Sequence, residues 1–377
     1  MSNDRVMIVG AGVGGLTAAV ALKRAGREIA VFERAPQLLE LGAGFAIQSN
    51  AVTALRQIGL GEEFEANGAV LENFAHRTWS GKLLASWPTG NIAQNLGAPI
   101  LGVSRPNVQH ILSQALDPGD FRFGHELTEL DQDDSGVTVR FANGAEERGA
   151  MLIGADGSNS TVRTRFDETR RRYSGYTTWL ALSNLASPEP DTHTQWYGEH
   201  SIFGAHAVGG GKTYWYASKT APEGEHEEDT KRNLLGLFGD WHEVVPAFIE
   251  ATDQIPRSDI YDLDRRDAWG SGRVTLVGDA AHPMVPALGQ GACQAIEDGV
   301  VLARCVSADG DPVSALRTYE AKRIARTAPI VKRARAQGKL MQGDNTVMRL
   351  ARDLSFRLAP TGQVLKSFQK VLTYPDA

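Results

Sequence analysis

The chain has 377 residues, of which 42% are hydrophobic and 22% charged, with a net charge of −6 and a pI near 5.9. This composition is typical of a soluble globular protein large enough for two domains. The acidic balance argues against nucleic acid or an anionic membrane as a partner. No stretch is long and apolar enough for a transmembrane span.

Residues 6–34 predict one strand–turn–helix–strand unit. Gly10, Gly12 and Gly15 have the G-x-G-x-x-G spacing that lets a backbone turn tightly, approach a pyrophosphate and pack a helix on a strand. Glu33 ends the second strand, where an acidic side chain can bind a ribose. A cleaved signal peptide is the weaker alternative because the apolar run contains four glycines. The unit therefore predicts a dinucleotide site but does not distinguish NAD, NADP and FAD.

The cysteines indicate a reducing environment. Cys293 and Cys305 lie twelve residues apart on one predicted helix, which separates them by about 18 Å and excludes a disulfide. Neither belongs to a C-x-x-C pair, which argues against a zinc site and dithiol chemistry. We therefore expect a cytoplasmic protein without a metal.

The next segments alternate between helical and strand patterns. Residues 41–48 form a glycine-broken apolar segment that either lies against a flat ligand or forms a bulge. Residues 73–87 and 127–144 predict β-hairpins, the first of which is a candidate for a second domain. Arg105 precedes a predicted helix and, by itself, is as easily a solvated surface residue.

A second turn follows the apolar strand 151–153. Asp156 lies between Gly154 and Gly157, and Ser160 and Arg163 lead into a helix. Such a turn suits a phosphate, but an ordinary corner with a serine N-cap explains the spacing equally well. The spacing alone leaves both interpretations open.

Residues 171–269 lose helical periodicity and become rich in tryptophan and tyrosine, which predicts antiparallel strands. Aromatic side chains on such strands can form the walls of a substrate site, although core packing is the default for any one ring. The candidate substrate residues are Gln48, His206, Tyr214 and Tyr216.

A third turn follows the strand 273–277. Asp279 can accept hydrogen bonds from sugar hydroxyls, and Gly289 and Gly291 open a long helix whose amides can face an anion. His282 in this turn is more typical of a structural hydrogen bond than of a catalytic base. Residues 312–372 predict helices, including a basic stretch that either touches a membrane or partner or forms a solvated face.

Three motifs, GAGVGG (10–15), GADGSNSTVR (154–163) and GDAAHPMVPALGQGA (278–292), together resemble the group A flavoprotein monooxygenases, the para-hydroxybenzoate hydroxylase superfamily. Residues 171–179 and 208–217 look like the salicylate hydroxylase, FAD-dependent urate hydroxylase and zeaxanthin epoxidase branches. The resemblance implies an α/β fold: a discontinuous Rossmann-like FAD-binding domain with C-terminal helices (1–72, 98–170, 271–377) and an inserted β-sheet substrate domain (73–97, 171–270).

The resemblance also implies roles for individual residues. Pro286, Gly289 and Gly291 would form the oxygen and flavin environment, without an identified base. The residues expected to bind FAD are Gly10, Gly12, Gly14, Gly15, Glu33, Arg34, Gly44, Ala46, Arg105, Leu127, Asp156, Arg163, Asp279, Gly289, Gln290, Gly291 and Ala292.

The activity that the resemblance implies is hydroxylation or epoxidation of an aromatic or other electron-rich small molecule through a flavin C4a-hydroperoxide, with O2 and with NADH or NADPH as a transient reductant. The urate-binding branch has an arginine near positions 201–203, which this chain lacks, so a less anionic substrate is expected. The alternatives are a flavin oxidase or reductase without oxygen transfer, and a non-catalytic dinucleotide-binding redox sensor. The sequence does not indicate an oligomeric state.

Overall fold

The computed structural model of the chain describes residues 4–38, 43–225, 227–308, 310–342 and 346–375, so Leu41 and Gly42 of the predicted segment 41–48 lie outside the described residues. The described strands form four sheets. The described strands are β1 (Val6–Val9), β2 (Ile29–Glu33), β3 (Gly44–Ile47), β4 (Ala69–Val70), β5 (Asn73–Thr78), β6 (Leu83–Trp87), β7 (Leu101–Ser104), β8 (Phe121–Phe123), β9 (Leu127–Asp133), β10 (Gly136–Phe141), β11 (Glu146–Gly149), β12 (Met151–Gly154), β13 (Arg172–Ser183), β14 (Thr192–Tyr197), β15 (Ser201–Ala207), β16 (Thr213–Thr220), β17 (Arg257–Asp262) and β18 (Val274–Leu276).

Helices cover the sheets and form the C-terminal part. The described α-helices are α1 (Val13–Arg24), α2 (Ser49–Gln57), α3 (Gly61–Asn67), α4 (Gly90–Leu96), α5 (Arg105–Gln114), α6 (Thr161–Thr164), α7 (Thr230–Phe238), α8 (Val244–Glu250), α9 (Gly291–Ala308), α10 (Pro312–Met341), α11 (Thr346–Leu358) and α12 (Thr361–Leu372). Both cysteines lie on α9 without forming a disulfide, as the sequence predicted, and both are buried. Among the described helices, none has the length and apolar character needed to cross a membrane.

A five-stranded sheet in the order β18-β12-β1-β2-β8 forms the Rossmann-like part, and each of its neighbouring pairs is parallel. Its central strands β1 and β12 are buried along their whole length, as expected for a parallel sheet with both faces covered. Helices α1 and α9 pack closely on each other, since a Cβ on Gly299 would lie 2.6 Å from the amide nitrogen of Ala18. The predicted α/β fold is confirmed.

A second sheet of seven strands, in the order β17-β13-β16-β15-β14-β5-β6, joins the two segments that were assigned to the substrate domain. β5 and β6 form the predicted hairpin, and β5 pairs in parallel with β14. One face of this sheet packs on α7 and α8 around Trp179, Trp215, Phe203 and Phe238. The other face of the sheet lines a cavity.

Candidate active site

Three loops meet at one edge of the parallel sheet because the strands that carry them, β1, β12 and β18, are in the order β18-β12-β1. We name them the first loop (residues 10–12), the second loop (155–160) and the third loop (277–282). The carboxyl ends of parallel strands are the usual place for ligands in open α/β sheets. The three turns found in the sequence therefore follow strands of one sheet.

The three glycines of the first unit differ in what a side chain at each position would meet. Gly10 has a φ of 106°, and a Cβ there would overlap the carbonyl oxygen of Ala155. A Cβ on Gly15 would likewise overlap the carbonyl oxygen of Gly10. A Cβ on Gly12, in contrast, would meet nothing within 4 Å. Gly10 and Gly15 are therefore required by the chain itself, whereas Gly12 keeps open the space in front of α1.

Glu33 stabilises the first loop and faces the same space. Its carboxylate accepts hydrogen bonds from the amides of Ala11 (2.9 Å) and Ala35 (3.0 Å). Arg34 beside it is exposed. A surface groove joins Glu33 to Gly12 and to Arg105, which lies at the start of α5. The structure thus brings Arg105, which only the family resemblance assigned to the cofactor, next to Gly12 and Glu33 of the first motif.

The second loop contains the serine N-cap that one of the two sequence interpretations predicted. Ser160 caps α6 by accepting a hydrogen bond from the amide of Arg163 (2.9 Å). Asp156 uses Oδ2 to accept from the amide of Val162 (3.1 Å), while its Oδ1 is buried and has no hydrogen-bond partner among the described residues. A buried carboxylate oxygen without a donor is costly unless a ligand supplies one.

Arg163 connects the second and third loops. Its guanidinium donates to the carbonyl oxygens of Ala280 (2.9 Å) and Ser158 (2.7 Å). Burial lowers its pKa, as do the neighbouring Arg266 and Arg171, against the attraction of Asp156 and Asp167. Because both Nη atoms of Arg163 donate to backbone carbonyl oxygens, Arg163 holds the two loops together. Direct contact of Arg163 with a pyrophosphate stays a prediction.

The third loop faces the start of α9. A Cβ on Gly291 would lie 3.9 Å from Oδ1 of Asp279, so the carboxylate and the first amides of the helix border the same cleft. Asp279 is exposed to this cleft, yet desolvation by the surrounding protein raises its pKa, with His282 and Arg105 acting in the opposite direction. Leu127, at the start of β9, is buried.

Beneath the third loop lies a group of buried charges centred on Arg323 of α10. Arg323 is 1% exposed and donates to Glu297 Oε2 (2.5 Å) and Asp298 Oδ1 (2.6 Å) of α9. Burial opposes the charge on Asp298, but His282 and Arg323 outweigh it and lower its pKa to about 2. Arg323 and Arg326 likewise lower the pKa of Glu297 against its burial, so both carboxylates are ionised and share Arg323 as a counter-ion.

Asp298 connects the buried charges to the third loop through hydrogen bonds. Its Oδ2 accepts hydrogen bonds from the amide of Gly278 (2.8 Å) and from His282 Nε2 (2.6 Å). His282 is therefore a buried hydrogen-bonding residue, in agreement with the structural interpretation of its sequence position.

Glu297 connects the same buried charges to residues on the other side of the cleft. Asn50 of α2 donates to Glu297 Oε1 (2.7 Å) and to Gln290 Oε1 (3.1 Å). Gln290 then donates to Gln48 Oε1 (2.7 Å), and Gln48 donates to the carbonyl oxygen of Leu288 (2.9 Å). The turn before α9, which we name the proline loop (residues 286–290), is held by this chain of amides.

An apolar cavity lies between the proline loop, the free face of the seven-stranded sheet and the C-terminal helices. All four predicted substrate residues line it, together with Ala46, Pro286 and Gly289. Gly44 belongs to the same region, since a Cβ there would lie 2.8 Å from the Cβ of Tyr214. None of the described residues that line the cavity is an aspartate, glutamate, lysine or arginine; the others are Phe45, Leu71, Asn73, Phe74, Thr89, Ile100, Tyr176, Thr178, Leu180, His193, Gln195, Ile202, Ser218, Ala287, Leu288, Gln337, Gly338, Met341, Gln342, Phe368 and Leu372.

Strand alternation decides which aromatic residues reach the cavity. Tyr214 and Tyr216 point to it, while Trp215 between them is buried in the core beneath α7 and α8. His206 is the cross-strand partner of Tyr214, and their rings are 5.1 Å apart.

One wall of the cavity carries hydrogen-bonding groups that the sequence analysis missed. His193 Nε2 lies 3.1 Å from the hydroxyl of Tyr216, which also accepts from the side-chain amide of Gln195. Tyr197 donates to Gln195 Oε1 (2.5 Å) and lies 2.8 Å from His76 Nδ1. Only the pairing of β5, β14, β15 and β16 brings these residues together, so no local pattern indicated them.

Two buried histidines are expected to make the protein less stable in acid. Burial, with Arg352 nearby, lowers the pKa of His76 to about 3, and burial lowers that of His206 to about 4, whereas an unfolded histidine titrates near about 6.5. Between these values the unfolded chain binds protons that the folded chain excludes, so the free energy of unfolding rises with pH and each histidine costs about 2 kcal/mol at pH ~5 relative to pH ~7. Thermal denaturation at both pH values should show this loss, and a smaller one in His206→Asn; an equal loss in the variant would contradict the assignment.

The comparisons with known proteins agree with this geometry. A family model described as an FAD binding domain matches residues 4–334. The aurachin C monooxygenase/isomerase of Stigmatella aurantiaca is 38% identical over 95% of each chain. The chloroplastic zeaxanthin epoxidase of Oryza sativa subsp. japonica is 36% identical over 86% of this chain and 54% of its own. The crystal structure of Klebsiella pneumoniae HpxO with FAD and uric acid superposes with a TM-score of 0.93 at 30% identity, covering 99% and 98% of the two chains.

The chain belongs to the group A FAD-dependent monooxygenases. This confirms the family that the three motifs resembled, and with it FAD as the cofactor. The residues of this monooxygenase fit that cofactor on two observations: the space in front of Gly12 admits a diphosphate, and the buried Asp156 Oδ1 still needs a donor, which a sugar hydroxyl can provide.

Proposed function

We propose that this monooxygenase is a single-component enzyme that draws electrons from NADH or NADPH and transfers one oxygen atom of O2 to a neutral, mostly apolar aromatic or other electron-rich small molecule. The observation that carries the substrate class is the cavity, whose described lining contains no charged side chain. An anionic substrate in this cavity would lack a counter-ion, and an unpaired buried charge is strongly disfavoured.

The site residues follow from the same geometry. Glu33 binds the adenosine ribose, Arg105 and the amides around Gly12 bind the diphosphate, and the ribityl chain lies between Asp279 and the start of α9. The remaining residues assigned to the FAD environment are Gly10, Gly14, Gly15, Arg34, Gly44, Ala46, Leu127, Asp156, Arg163, Gly289, Gln290, Gly291 and Ala292. These assignments are supported by the three loops at one edge of the parallel sheet, by the groove that joins Gly12, Glu33 and Arg105, and by the approach of Gly291 to Asp279.

FAD, when bound, accepts hydride from the nicotinamide and activates O2; the chain orients the substrate and excludes water. The first amides of α9 have no acceptor within the helix and are free to stabilise negative charge. Gly289 is different, because its amide donates to the carbonyl oxygen of Pro286 (2.9 Å) and thereby closes the proline loop. Pro286 and Leu288 form the apolar side of this loop, where water must be kept out.

The hydrogen-bonding wall orients the substrate. Tyr216 accepts from Gln195 and lies within hydrogen-bond distance of His193, so it can offer its hydroxyl to a phenol, carbonyl or ring nitrogen. Burial raises the pKa of Tyr216 and lowers that of His193, so both are neutral at pH 7. A neutral polar group on an otherwise apolar ring system matches this wall.

The experiment is a panel of neutral phenols, quinolones and polyenes, with urate and salicylate as anionic controls. We expect some of the neutral compounds to stimulate NADH or NADPH consumption and to gain one oxygen atom, with a further 2 Da in 18O2. Stimulation by the anions alone would contradict the substrate class.

The same experiment separates the alternatives. NAD(P)H consumption that yields only hydrogen peroxide with every compound indicates an oxidase or reductase. Purified protein that binds no FAD indicates the redox-sensor alternative, and reduction only in the presence of a second protein would contradict a single-component enzyme.

A further inference from the structure

Helix α11 exposes its apolar face. Val347, Leu350, Leu354 and Leu358 follow one another at intervals of three or four residues, which places them on one side of the helix. Their exposures are 75%, 62%, 55% and 69%, the highest among the large hydrophobic residues described. We name these four residues the leucine stripe. An amphipathic helix that packed on its own protein would bury this face.

The polar and aromatic side of α11 faces inward instead. Arg352 is 3% exposed and lies over the ring of Tyr197 at 4.6 Å. Phe356 stacks on His76 with ring centroids 4.3 Å apart. The helix is therefore held by Arg352 and Phe356, and its orientation leaves the leucine stripe without a partner in the described chain.

The stripe lies on the outside of the cavity wall. The inner residues of α11 contact Tyr197 and His76, which continue the hydrogen-bonding wall, and α12 contributes Phe368 and Leu372 to the lining. Helix α11 therefore lies next to residues that contact the cavity wall.

The charge of this segment is opposite to that of the whole chain. Residues 339–377 contain six lysines and arginines and three aspartates, whereas the chain has a net charge of −6. Arg357, Lys366 and Lys370 are exposed. The overall charge predicted no affinity for an anionic membrane, but the segment that carries the stripe has the sign of charge that such a membrane attracts.

We propose that α11 docks this monooxygenase on an anionic lipid surface, with the leucine stripe in the interface and the basic side chains at the headgroups. An apolar face of this size with basic neighbours has the chemistry of a helix that lies in a membrane interface. A second copy of the chain fits less well, because four aliphatic side chains along about 17 Å of helix do not supply the roughly 1,000 Å² that a specific protein interface buries.

The test is flotation of the full-length FAD-bound protein with vesicles. We expect about tenfold more protein to float with vesicles of equal parts phosphatidylglycerol and phosphatidylcholine than with phosphatidylcholine alone. Leu350→Gln/Leu354→Gln should lower binding to the anionic vesicles about tenfold. Leu185→Gln/Leu237→Gln is the matched control, since these leucines are 41% and 42% exposed elsewhere on the surface, and it should bind like the unmodified protein.

Three results would overturn the proposal: no flotation with the anionic vesicles, an equal loss in both double variants, or a molecular mass by light scattering that falls from dimer to monomer in Leu350→Gln/Leu354→Gln. NAD(P)H consumption with a water-soluble substrate, measured without vesicles, should be the same in all three proteins. Lipid docking and oxygen transfer can therefore fail independently of each other.

Discussion

Arg323→Met is expected to lower the free energy of unfolding by about 3 to 5 kcal/mol. The substitution removes the cation between Glu297 and Asp298 from an interior where Arg323 itself is 1% exposed, and leaves Arg326 as the partner of Glu297 and His282 as that of Asp298. Breaking a buried ion pair costs more than the pair contributes, because the remaining charge stays buried. Chemical denaturation of the FAD-free protein measures this loss.

The control is Arg140→Met, which removes an arginine bonded to Glu129, Asp131 and Glu146 on an exposed hairpin. Exposed ion pairs are screened by water, so the midpoint of denaturation should not move. Because Asp298 also holds the amide of Gly278, Arg323→Met should release FAD more readily than the unmodified protein under conditions where both are folded. Equal stability of the two variants would show that the buried carboxylates find other partners.

Local chemistry explains why much of the site could be predicted from the sequence. The turns at Gly10, Asp156 and Asp279 follow short apolar strands, and each glycine or aspartate acts within its own turn. Strand alternation also separated Tyr214 and Tyr216 from Trp215 correctly. These features depend on neighbours in the chain and therefore leave a signal in it.

The missed residues depend on contacts between distant segments. Arg323 is one basic residue in a helix with many, and only the packing of α10 on α9 places it against Glu297 and Asp298. His193 and Gln195 meet Tyr216 because β16 pairs with β15 and β15 with β14. The sequence shows that α11 has an apolar face but not which face packs inward, since Phe356 and the leucines are apolar alike.

Gly12→Ala is expected to weaken FAD binding on the order of 100-fold, or about 2.8 kcal/mol, without affecting the fold. A methyl group at this position meets nothing within 4 Å in the chain, and the φ of −76° suits alanine, so the FAD-free variant should unfold at the same denaturant concentration. The same methyl group would lie where a diphosphate must approach the amides in front of α1. Titration with FAD, followed by flavin fluorescence, measures the affinity.

Two other glycines make this result specific. Gly119→Ala also places a methyl group in open space, but outside the groove, and should bind FAD normally. Gly15→Ala would force its methyl group onto the carbonyl oxygen of Gly10 and should destabilise the FAD-free protein itself. If Gly12→Ala alone loses affinity for FAD and keeps its stability, the diphosphate lies at the first loop. Normal affinity in that variant would mean that FAD does not approach the backbone there. The roles proposed for Glu33 and Arg105 would then be wrong as well.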